Sequence, residues 1–273
     1  MSAADAFFHA DRDRFVATAL TRGPWHIDHQ HGGPPSALLA RGFEALLAAE
    51  DGAWHIARTT VEFLRPLLVG VPLQVQTQVT RRSRRILGLT GTLLHDGKPL
   101  AQASALCVRR LTMAIPAEAA PADTPRAPTD FPISGFPFFR WDVGYHTAMT
   151  VRLEAGAIGR GPATAWLRPD YPLIADEPMS PLQRVLVAAD AINGVGFALD
   201  LRFFTFVNAD LGVHLHRPAE GEWIRMAVHP APGPIGTGIV SAELGDVRGP
   251  IGQALEVQVL DIRTDPGQTH GPR

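Results

Sequence analysis

The chain is poor in cysteine, in tyrosine and in net charge. Its 273 residues include one cysteine, Cys107, two tyrosines and a net charge of −2. A single cysteine excludes an intrachain disulfide and any metal site built from several thiolates, which suits a reducing compartment. Cys107 itself follows Ala105 and Leu106 in an apolar run, which indicates core packing rather than a nucleophile. The near-balanced charge gives no overall attraction for nucleic acid.

Long apolar runs are also missing. Nowhere do about 18 uninterrupted apolar residues occur, and the segment Met1–Asp5 lacks a basic stretch followed by an apolar one. We therefore expect a cytoplasmic protein with neither a membrane nor a nucleic acid as partner. A content of 45% hydrophobic and 19% charged residues is typical of a globular chain with a substantial core.

The same order of sequence features occurs twice. Each copy has an Ala- and Leu-rich helical stretch, then a strand ending in Arg-Pro, then a strand containing Gln-Ala. Pro66 and Gln102 are 36 positions apart, and Pro218 and Gln253 are 35 apart. Such self-similarity predicts two copies of one unit. Two copies usually pack about a pseudo-twofold axis, so we expect a site at their interface.

Proline marks the junction between the copies. Six prolines between Leu111 and Phe138 predict a semi-extended tether that belongs to neither core. We divide the chain into a first unit at 1–113, a Pro-rich linker at 114–146, a second unit at 147–263 and a flexible tail at 264–273.

Each copy combines one long helix with several alternating strands. Helices are predicted over 34–50 and about 179–199, and strands over 71–79, 86–94, 100–111, 223–229, 238–244 and 252–262. Asp96-Gly97 is a hairpin signal. A helix that covers the apolar face of an antiparallel sheet predicts an α+β fold.

Several of these motifs together resemble a known family. They are His31-Gly32-Gly33 before a helix, Glu62 to Pro66, Asn208 to Leu211, and His214 to Pro218. This combination, from about residue 20 to 263, resembles the double-hotdog acyl-CoA thioesterases related to acyl-CoA thioesterase II. The resemblance implies two helix-wrapped antiparallel sheets in one chain, with one of two pseudo-equivalent clefts active.

The resemblance also implies a set of catalytic residues. The family's helical Asp falls on Asp190. Its strand Thr or Ser falls on Asn208, which is a departure from the pattern. The family's Gln falls on Gln258 if Arg263 sets the register, or on Glu256 if Gly249-Pro250 sets it. Because Glu256 and Gln258 are two apart, they share one face of the strand.

The residues themselves support parts of this set. Asp190 interrupts an apolar helix, and burial raises the pKa of a carboxylate toward that of a general base. Alternatively, Asp190 caps a helix that breaks at Asn193-Gly194, or faces solvent. Asn208 and Asp210 share one strand face and are candidates to hold water or substrate, unless they form a bulge or turn.

Three further features have both a functional and a structural interpretation. Backbone N–H groups at Gly32 and Gly33, together with His31, are candidates to bind the substrate carbonyl; a tight turn is the alternative. In this fold we expect the glycines to serve the inactive cleft or to line an acyl tunnel. Arg84 and Arg85 are candidates to contact coenzyme A phosphates, or form a solvated turn. The histidines have no ligand spacing that indicates a metal.

These observations lead to one principal expectation and two alternatives. The expected activity is hydrolysis of an acyl-CoA thioester, or of an acyl-carrier-protein thioester, by an activated water without a cofactor or metal. No Gly-x-Ser-x-Gly motif for a serine nucleophile occurs. The alternatives are a hotdog enoyl-thioester hydratase or dehydratase and a non-catalytic acyl-CoA-binding protein. We also expect a homo-oligomer.

Overall fold

The computed structural model describes residues 5–119 and 127–263. The predicted tail at 264–273 and part of the predicted linker, 120–126, lie outside the described residues. The helices are α1 (Gly33–Ala48), α2 (Pro181–Ala189) and α3 (Ile192–Gly196). The strands are β1 (Phe8–Asp11), β2 (Arg14–Ala17), β3 (Trp54–Phe63), β4 (Pro72–Arg82), β5 (Ile86–His95), β6 (Lys98–Arg109), β7 (Ile133–Ser134), β8 (Met149–Ala155), β9 (Ala163–Pro169), β10 (Phe204–Asn208), β11 (Asp210–Leu215), β12 (Ile224–Pro232), β13 (Thr237–Asp246) and β14 (Gly249–Ile262).

In the described part of the chain, all fourteen strands belong to one antiparallel sheet. Its order is β1-β2-β4-β5-β6-β3-β11-β14-β13-β12-β9-β8-β7, and β10 pairs with β14 beside this path. The sheets of the two copies join where β3 pairs antiparallel with β11, with Thr60 opposite Gly212. An antiparallel pair of equivalent strands has a local twofold axis, so the junction gives the repeat its pseudo-twofold relation.

The repeat extends to an irregularity in the strands. Superposing the two Arg-Pro motifs places Ala57 on Ala209, 152 positions later. The register of β3 against β6 shifts at Ala57, and Ala209 separates β10 from β11. Each copy thus has its central strand interrupted at the same position, and this position is where the sheet can divide.

The two long helices pack against each other at a place that excludes a side chain. A Cβ on Gly33 would lie 2.4 Å from the carbonyl oxygen of Val187 in α2. Buried leucines and alanines of α1 and buried Val185 to Ala189 of α2 form the core with the inner face of the sheet. The helix predicted over 179–199 is divided, because α2 ends at Ala189 and α3 begins at Ile192.

The hairpins predicted from alternating residues are present with small shifts of their ends. Asp96 and Gly97 join β5 to β6 with φ of 48° and 73°, the left-handed conformation that an Asp-Gly turn adopts. Burial and desolvation raise the pKa of the Cys107 thiol to about 12, in agreement with a packing role. Strands β1, β2, β7, β8 and β9 were not predicted.

The linker prediction is wrong in one respect. Phe136 and Tyr145 fall within 114–146 but are 6% and 0% exposed and belong to the main hydrophobic core. Trp141 and Val143 of the same segment bond to the first copy: Trp141 Nε1 donates to the Gly23 carbonyl, and Arg22 donates to the Val143 carbonyl. The aromatic residues of this segment determine its structure more than its prolines do, because burial of their large rings stabilises an ordered path over the core.

Candidate active site

A cavity opens where the sheet divides between β3 and β10. Strand β11 pairs with both β3 and β14, whereas β10, on the other side of Ala209, pairs with β14. The chain after β3 therefore separates from β10 and exposes the helices behind the sheet. The resulting cavity has a volume of about 450 Å³. We call it cleft A; its polar walls are His31, Gly32, Asp190, Asn193 and Asn208, and residues of the linker cover it.

Asp190 lies at the C-terminal cap of α2 and at the inner wall of cleft A. It is 4% exposed, so the side chain is removed from bulk water. Oδ1 accepts a hydrogen bond of 3.1 Å from the Asn208 amide, and Oδ2 lies 2.8 Å from Nδ1 of His31. Burial of a carboxylate is costly unless it is bonded in this way. Asp190 is the C-cap residue of α2, but the helix does not break at Asn193-Gly194 as the capping interpretation has it, because both residues lie inside α3; the Asp190 side chain faces the cavity.

His31 connects the two copies of the repeat. It precedes α1 of the first copy yet bonds to Asp190 of the second. Its ring stacks on Tyr145, with centroids 3.7 Å apart and planes within 1° of parallel. The Tyr145 hydroxyl donates to the carbonyl of Val187 in α2 at 2.8 Å. Burial, together with the negative charges of Asp190 and Glu256, raises the pKa of Tyr145 well above its usual value.

Asn208 connects Asp190 to α3. Its Nδ2 atom donates to Asp190, and its Oδ1 atom accepts from the Asn193 amide. The amide of Asn208 is therefore held in one orientation at the wall of cleft A. A fixed amide of this kind retains a second N–H that can hold a water or a carbonyl oxygen.

Gln258 and Glu256 lie behind this wall and not on it. Gln258 is the register partner of Asn208 and is 2% exposed, and Glu256 on the same strand face is 0% exposed. The prediction that both point to one side of β14 is confirmed. Among the described residues, Gln258 Nε2 and both carboxyl oxygens of Glu256 have no well-formed hydrogen bond. Burial and the charge of Asp190 raise the pKa of Glu256 well above its usual range.

One residue of the glycine pair belongs to cleft A. Gly32 lines the same cavity as Asp190, which agrees with the expectation that the glycines line the substrate cavity rather than a separate cleft. A Cβ on Gly32 would lie 2.6 Å from Phe63 and 2.8 Å from Oδ1 of Asp190, which explains why no side chain is present. The N-terminus of α1 thereby opens directly onto the cavity. Pro34 and Pro35 have no N–H, so the backbone donors at this end are the N–H groups of Gly32 and Gly33, and that of Gly33 lies 3.3 Å from Nδ1 of His31.

Three of the predicted binding residues lie away from the cavity. The Asp210 carboxylate accepts from the Val257 backbone N–H at 2.7 Å, a bond within the sheet, and Asp210 does not line cleft A. Arg84 and Arg85 form the turn between β4 and β5 at the end of the sheet where β3 begins. Cleft A lies where β3 ends, ten residues or roughly 33 Å along the strand. Arg84 and Arg85 are exposed in this turn, as the turn interpretation expects.

Other residues of the site were not singled out from the sequence. Tyr145, Asn193 and Arg65 line the cavity, with Arg65 near the exposed end beside Leu64. Asn193 carried a signal, because Asn-Gly within an apolar helix is an unfavourable choice for a helix interior. Tyr145 carried none, since its place against His31 depends on the path of the linker.

Family models cover most of the chain. Residues 21–108 match the acyl-CoA thioesterase N-terminal domain, and residues 116–259 match the acyl-CoA thioesterase C-terminal domain. The chain belongs to the acyl-CoA thioesterase family. The expected thioester hydrolase activity is thus supported by both halves of this thioesterase. No curated protein matches the chain at a significant level.

Solved structures show that this thioesterase has the hotdog fold. A protein from Novosphingobium aromaticivorans assigned as a thioesterase superposes with a TM-score of 0.71 at 18% identity, covering 94% of this chain and 100% of its own. A protein described as having the hot dog fold, from Alicyclobacillus acidocaldarius, gives 0.70 at 17%, covering 95% and 98%. An acyl-CoA thioesterase II from Mycobacterium marinum gives 0.65 at 14%, covering 93% and 95%. The double-hotdog prediction is confirmed.

The thioesterase has a second region that corresponds to cleft A by the repeat. We call it cleft B; it lies where β3 begins, around His55, Ile56 and Ala57. A groove of about 450 Å³ is present there on the outer face of the sheet, but its walls are all strand and turn residues. His55 Nε2 lies 2.9 Å from the Leu215 carbonyl oxygen and bridges β3 to the end of β11. The groove therefore does not reach the helices.

The helices of the described residues were compared with the length and apolar character that a membrane span requires. Within residues 5–119 and 127–263, no helix is both long and apolar enough to cross a membrane.

Proposed function

We propose that this thioesterase hydrolyses acyl-CoA in cleft A with Asp190 as the general base. Asp190 combines near-complete burial with a position on the cavity wall. In the proposed step, Asp190 takes a proton from a water while the water oxygen attacks the thioester carbonyl carbon. The C–S bond then breaks, releasing the free acid and the coenzyme A thiolate. No covalent intermediate or cofactor is needed.

Asn208 and His31 are proposed to organise the base. Each bonds one oxygen of Asp190, so the lone pair that receives the proton has a fixed direction. The second N–H of Asn208 is the group proposed to hold the water. His31, whose Nδ1 lies 2.8 Å from Oδ2, is proposed to orient the carboxylate, and the proton that Asp190 takes from the water passes to the departing coenzyme A thiolate. Asn208 is thus proposed to take the role of the Thr that the family pattern has at this position.

The N-terminus of α1 is proposed to stabilise the oxyanion. Gly32 brings the backbone of the first turn to the cavity, and the partial positive charge of a helix N-terminus favours the negative oxygen of the tetrahedral intermediate. Behind the wall, Gln258 is proposed to support Asn208 and Glu256 to support Asp190, as buried positioning residues. At the mouth, Arg65 replaces Arg84 and Arg85 as the proposed contact for coenzyme A phosphates.

The observation that carries this proposal is the cluster of His31, Asp190 and Asn208 on one cavity. Its test is the release of free coenzyme A from a panel of acyl-CoA thioesters, followed with a thiol reagent. We expect catalytic release by the wild-type chain. An enoyl-CoA absorbance assay run in parallel reports hydration, and calorimetric binding without any turnover would indicate a binding protein. Either of those results in place of coenzyme A release would contradict the proposal.

We further propose a cytoplasmic homo-oligomer that acts in lipid metabolism, with acyl-carrier-protein thioesters as possible substrates beside acyl-CoA. The outer face of the sheet supports the oligomer. Ile239 of β13 and Leu255 and Val257 of β14 are 48%, 45% and 38% exposed, and Ile239 and Val257 are register partners. Light scattering after gel filtration tests the oligomer, and Leu255→Asp is expected to shift it toward the monomer. We retain 1–113 and 147–263 as the proposed units.

A further inference from the structure

The inner wall of cleft A differs in composition from the rest of the interior. The core is built chiefly from Leu, Ala and Val. Cleft A instead has seven aromatic side chains, in a chain that holds only 13 Phe, 5 Trp and 2 Tyr. They are Trp25, Phe63, Phe136, Phe138, Phe139, Tyr145 and Phe206. Two of the four Leu and Val residues of the wall, Leu64 and Val259, are 41% and 54% exposed and belong to its open end.

The aromatic rings come from separate segments and meet in different orientations. Trp25 and Phe138 are parallel within 12°, with centroids 6.5 Å apart. Phe206 meets Trp25 edge-on, at 88° and 4.7 Å. Phe136 and Phe139 are tilted against Phe138 by 55° and 31°. The aromatic residues that line the cavity therefore also pack on one another, in parallel, edge-on and tilted arrangements.

Space beside these rings is kept by a glycine. Gly194 in α3 lines the cavity, and a Cβ added there would lie 3.0 Å from Phe138. The rings also come close to the proposed base. A Cβ on Gly32 would lie 2.6 Å from Phe63 and 2.8 Å from Oδ1 of Asp190, and Tyr145 stacks on His31, which contacts Asp190.

We propose that cleft A selects acyl-CoA thioesters whose acyl group ends in an aromatic ring. This inference rests on the proposed function, since it assigns the acyl portion of the same substrate. A linear alkyl chain gains from burial alone, and a Leu- and Val-lined wall would bind it equally well. An aromatic ring gains in addition from offset-stacked and edge-to-face contacts, each worth roughly twofold to tenfold in affinity beyond burial.

The test compares two substrates that differ in one ring, which is aromatic and planar in one and saturated and puckered in the other. 3-Phenylpropanoyl-CoA and 3-cyclohexylpropanoyl-CoA have the same chain length and ring size, and the cyclohexyl ring has the larger apolar surface. Burial alone favours the cyclohexyl substrate or leaves the two equal. Aromatic recognition predicts a kcat/KM for the phenyl substrate at least about fivefold higher. Octanoyl-CoA, a linear acyl group of similar size, is expected to fall with the cyclohexyl substrate.

A pair of variants assigns the preference to the wall. Phe138→Leu preserves apolar bulk but removes the ring, so the phenyl-to-cyclohexyl ratio is expected to fall at least about threefold. Phe203→Leu is the matched control, because Phe203 is 49% exposed and lies outside the cavity wall. It should leave the ratio unchanged. The ratio is measured within each variant, so a loss of total active protein does not alter it.

The possible outcomes separate this inference from the function on which it rests. A phenyl preference that Phe138→Leu reduces and Phe203→Leu does not supports the aromatic selection. Hydrolysis of all three substrates with equal kcat/KM, or with cyclohexyl or octanoyl preferred, overturns the selection and leaves the thioesterase proposal intact. A phenyl preference that is unchanged in Phe138→Leu also overturns it. Absence of coenzyme A release from every substrate contradicts the proposed function itself.

Discussion

Clefts A and B occupy corresponding positions of the repeat but differ at each polar position. In cleft A the register pair of the two strands is Asn208 and Gln258, and in cleft B the corresponding pair is Ile56 and Cys107. Val207 lines the open cavity, whereas His55, 152 positions earlier, bridges the strands. The same backbone irregularity can therefore open the sheet or leave it closed, depending on which side chains flank it.

The helix ends of the two clefts show a similar contrast. In cleft A, His31 before α1 bonds to Asp190 after α2. In the reciprocal contact, Ser180 and Gln183 at the start of α2 donate to Glu44 of α1, at 2.6 Å and 2.7 Å. Both carboxyl oxygens of Glu44 accept hydrogen bonds from the first turn of α2, whereas the Asp190 side chain faces a cavity. Each helix segment thus carries a carboxylate that bonds near the start of the other helix, but only that of Asp190 lines cleft A.

The largest effect is expected from removing the candidate base. Asp190→Asn should reduce coenzyme A release by at least roughly a hundredfold, because general-base catalysis contributes about that much or more. The reciprocal variant, Glu44→Gln, should remain within about threefold of wild type. Both are compared by initial rates at saturating substrate, after circular dichroism has established folding. Near-wild-type turnover of Asp190→Asn would mean that Asp190, like Glu44, serves the fold alone.

The strand pairs behind the clefts give a smaller contrast. Gln258→Ala should lower kcat about tenfold, because a buried amide beside Asn208 is lost. Cys107→Ala, at the corresponding position of cleft B, should change kcat less than twofold. If both variants, or neither, reduce turnover, the two strand positions do not differ in function. The measurement is kcat at saturating substrate, with thermal unfolding of each variant as a control.

The smallest effect concerns the buried Glu256 and appears in stability. Its pKa is raised in the folded state, so above the usual pKa of Glu the native protein holds a proton that the unfolded chain has lost. Stability must then fall as pH rises toward the raised pKa. Glu256→Gln removes this dependence, and its Tm should exceed that of wild type increasingly from pH 5 to 8, by a few degrees. Parallel Tm curves for the two proteins would rule out a raised pKa.

Four charged or titratable groups lie around the buried Glu256. Asp190, Asp210 and Tyr145 interact with it electrostatically, and His31 contacts Asp190 and stacks on Tyr145. All four are retained in Glu256→Gln, so the difference between the curves reports the titration of Glu256 together with its charge coupling to Asp190.

Much of the fold follows from local pattern, and much of the site does not. The repeat, α1 and the long hairpins have strong periodicity and turn signals such as Asp96-Gly97. Asp190 and Asn208 were predicted as neighbours through a family pattern. The contact between His31 and Asp190 was not predictable, because it depends on how closely α1 approaches α2 at Gly33. The burial of Phe136 and Tyr145 contradicts the usual meaning of a proline-rich segment.

Two departures from the predicted site have separate physical origins. The positions of Arg84 and Arg85 relative to the cavity depend on strand register along β3, and register is a non-local property. Asp210 and Asn208 were predicted on one strand face, but the interruption at Ala209 lies between them. Before it, β10 pairs with β14 alone; after it, β11 pairs with both β14 and β3. A one-residue break of this kind leaves no clear signal in the composition.

The central claim, that one of two equivalent clefts accepts substrate, is tested most directly by binding stoichiometry. Asp190→Asn, which should bind acyl-CoA without hydrolysing it, is titrated with a medium-chain acyl-CoA in a calorimeter. The account predicts one acyl-CoA bound per chain, since His55 closes cleft B to the helices. Two acyl-CoA molecules bound per chain with similar affinity would contradict it.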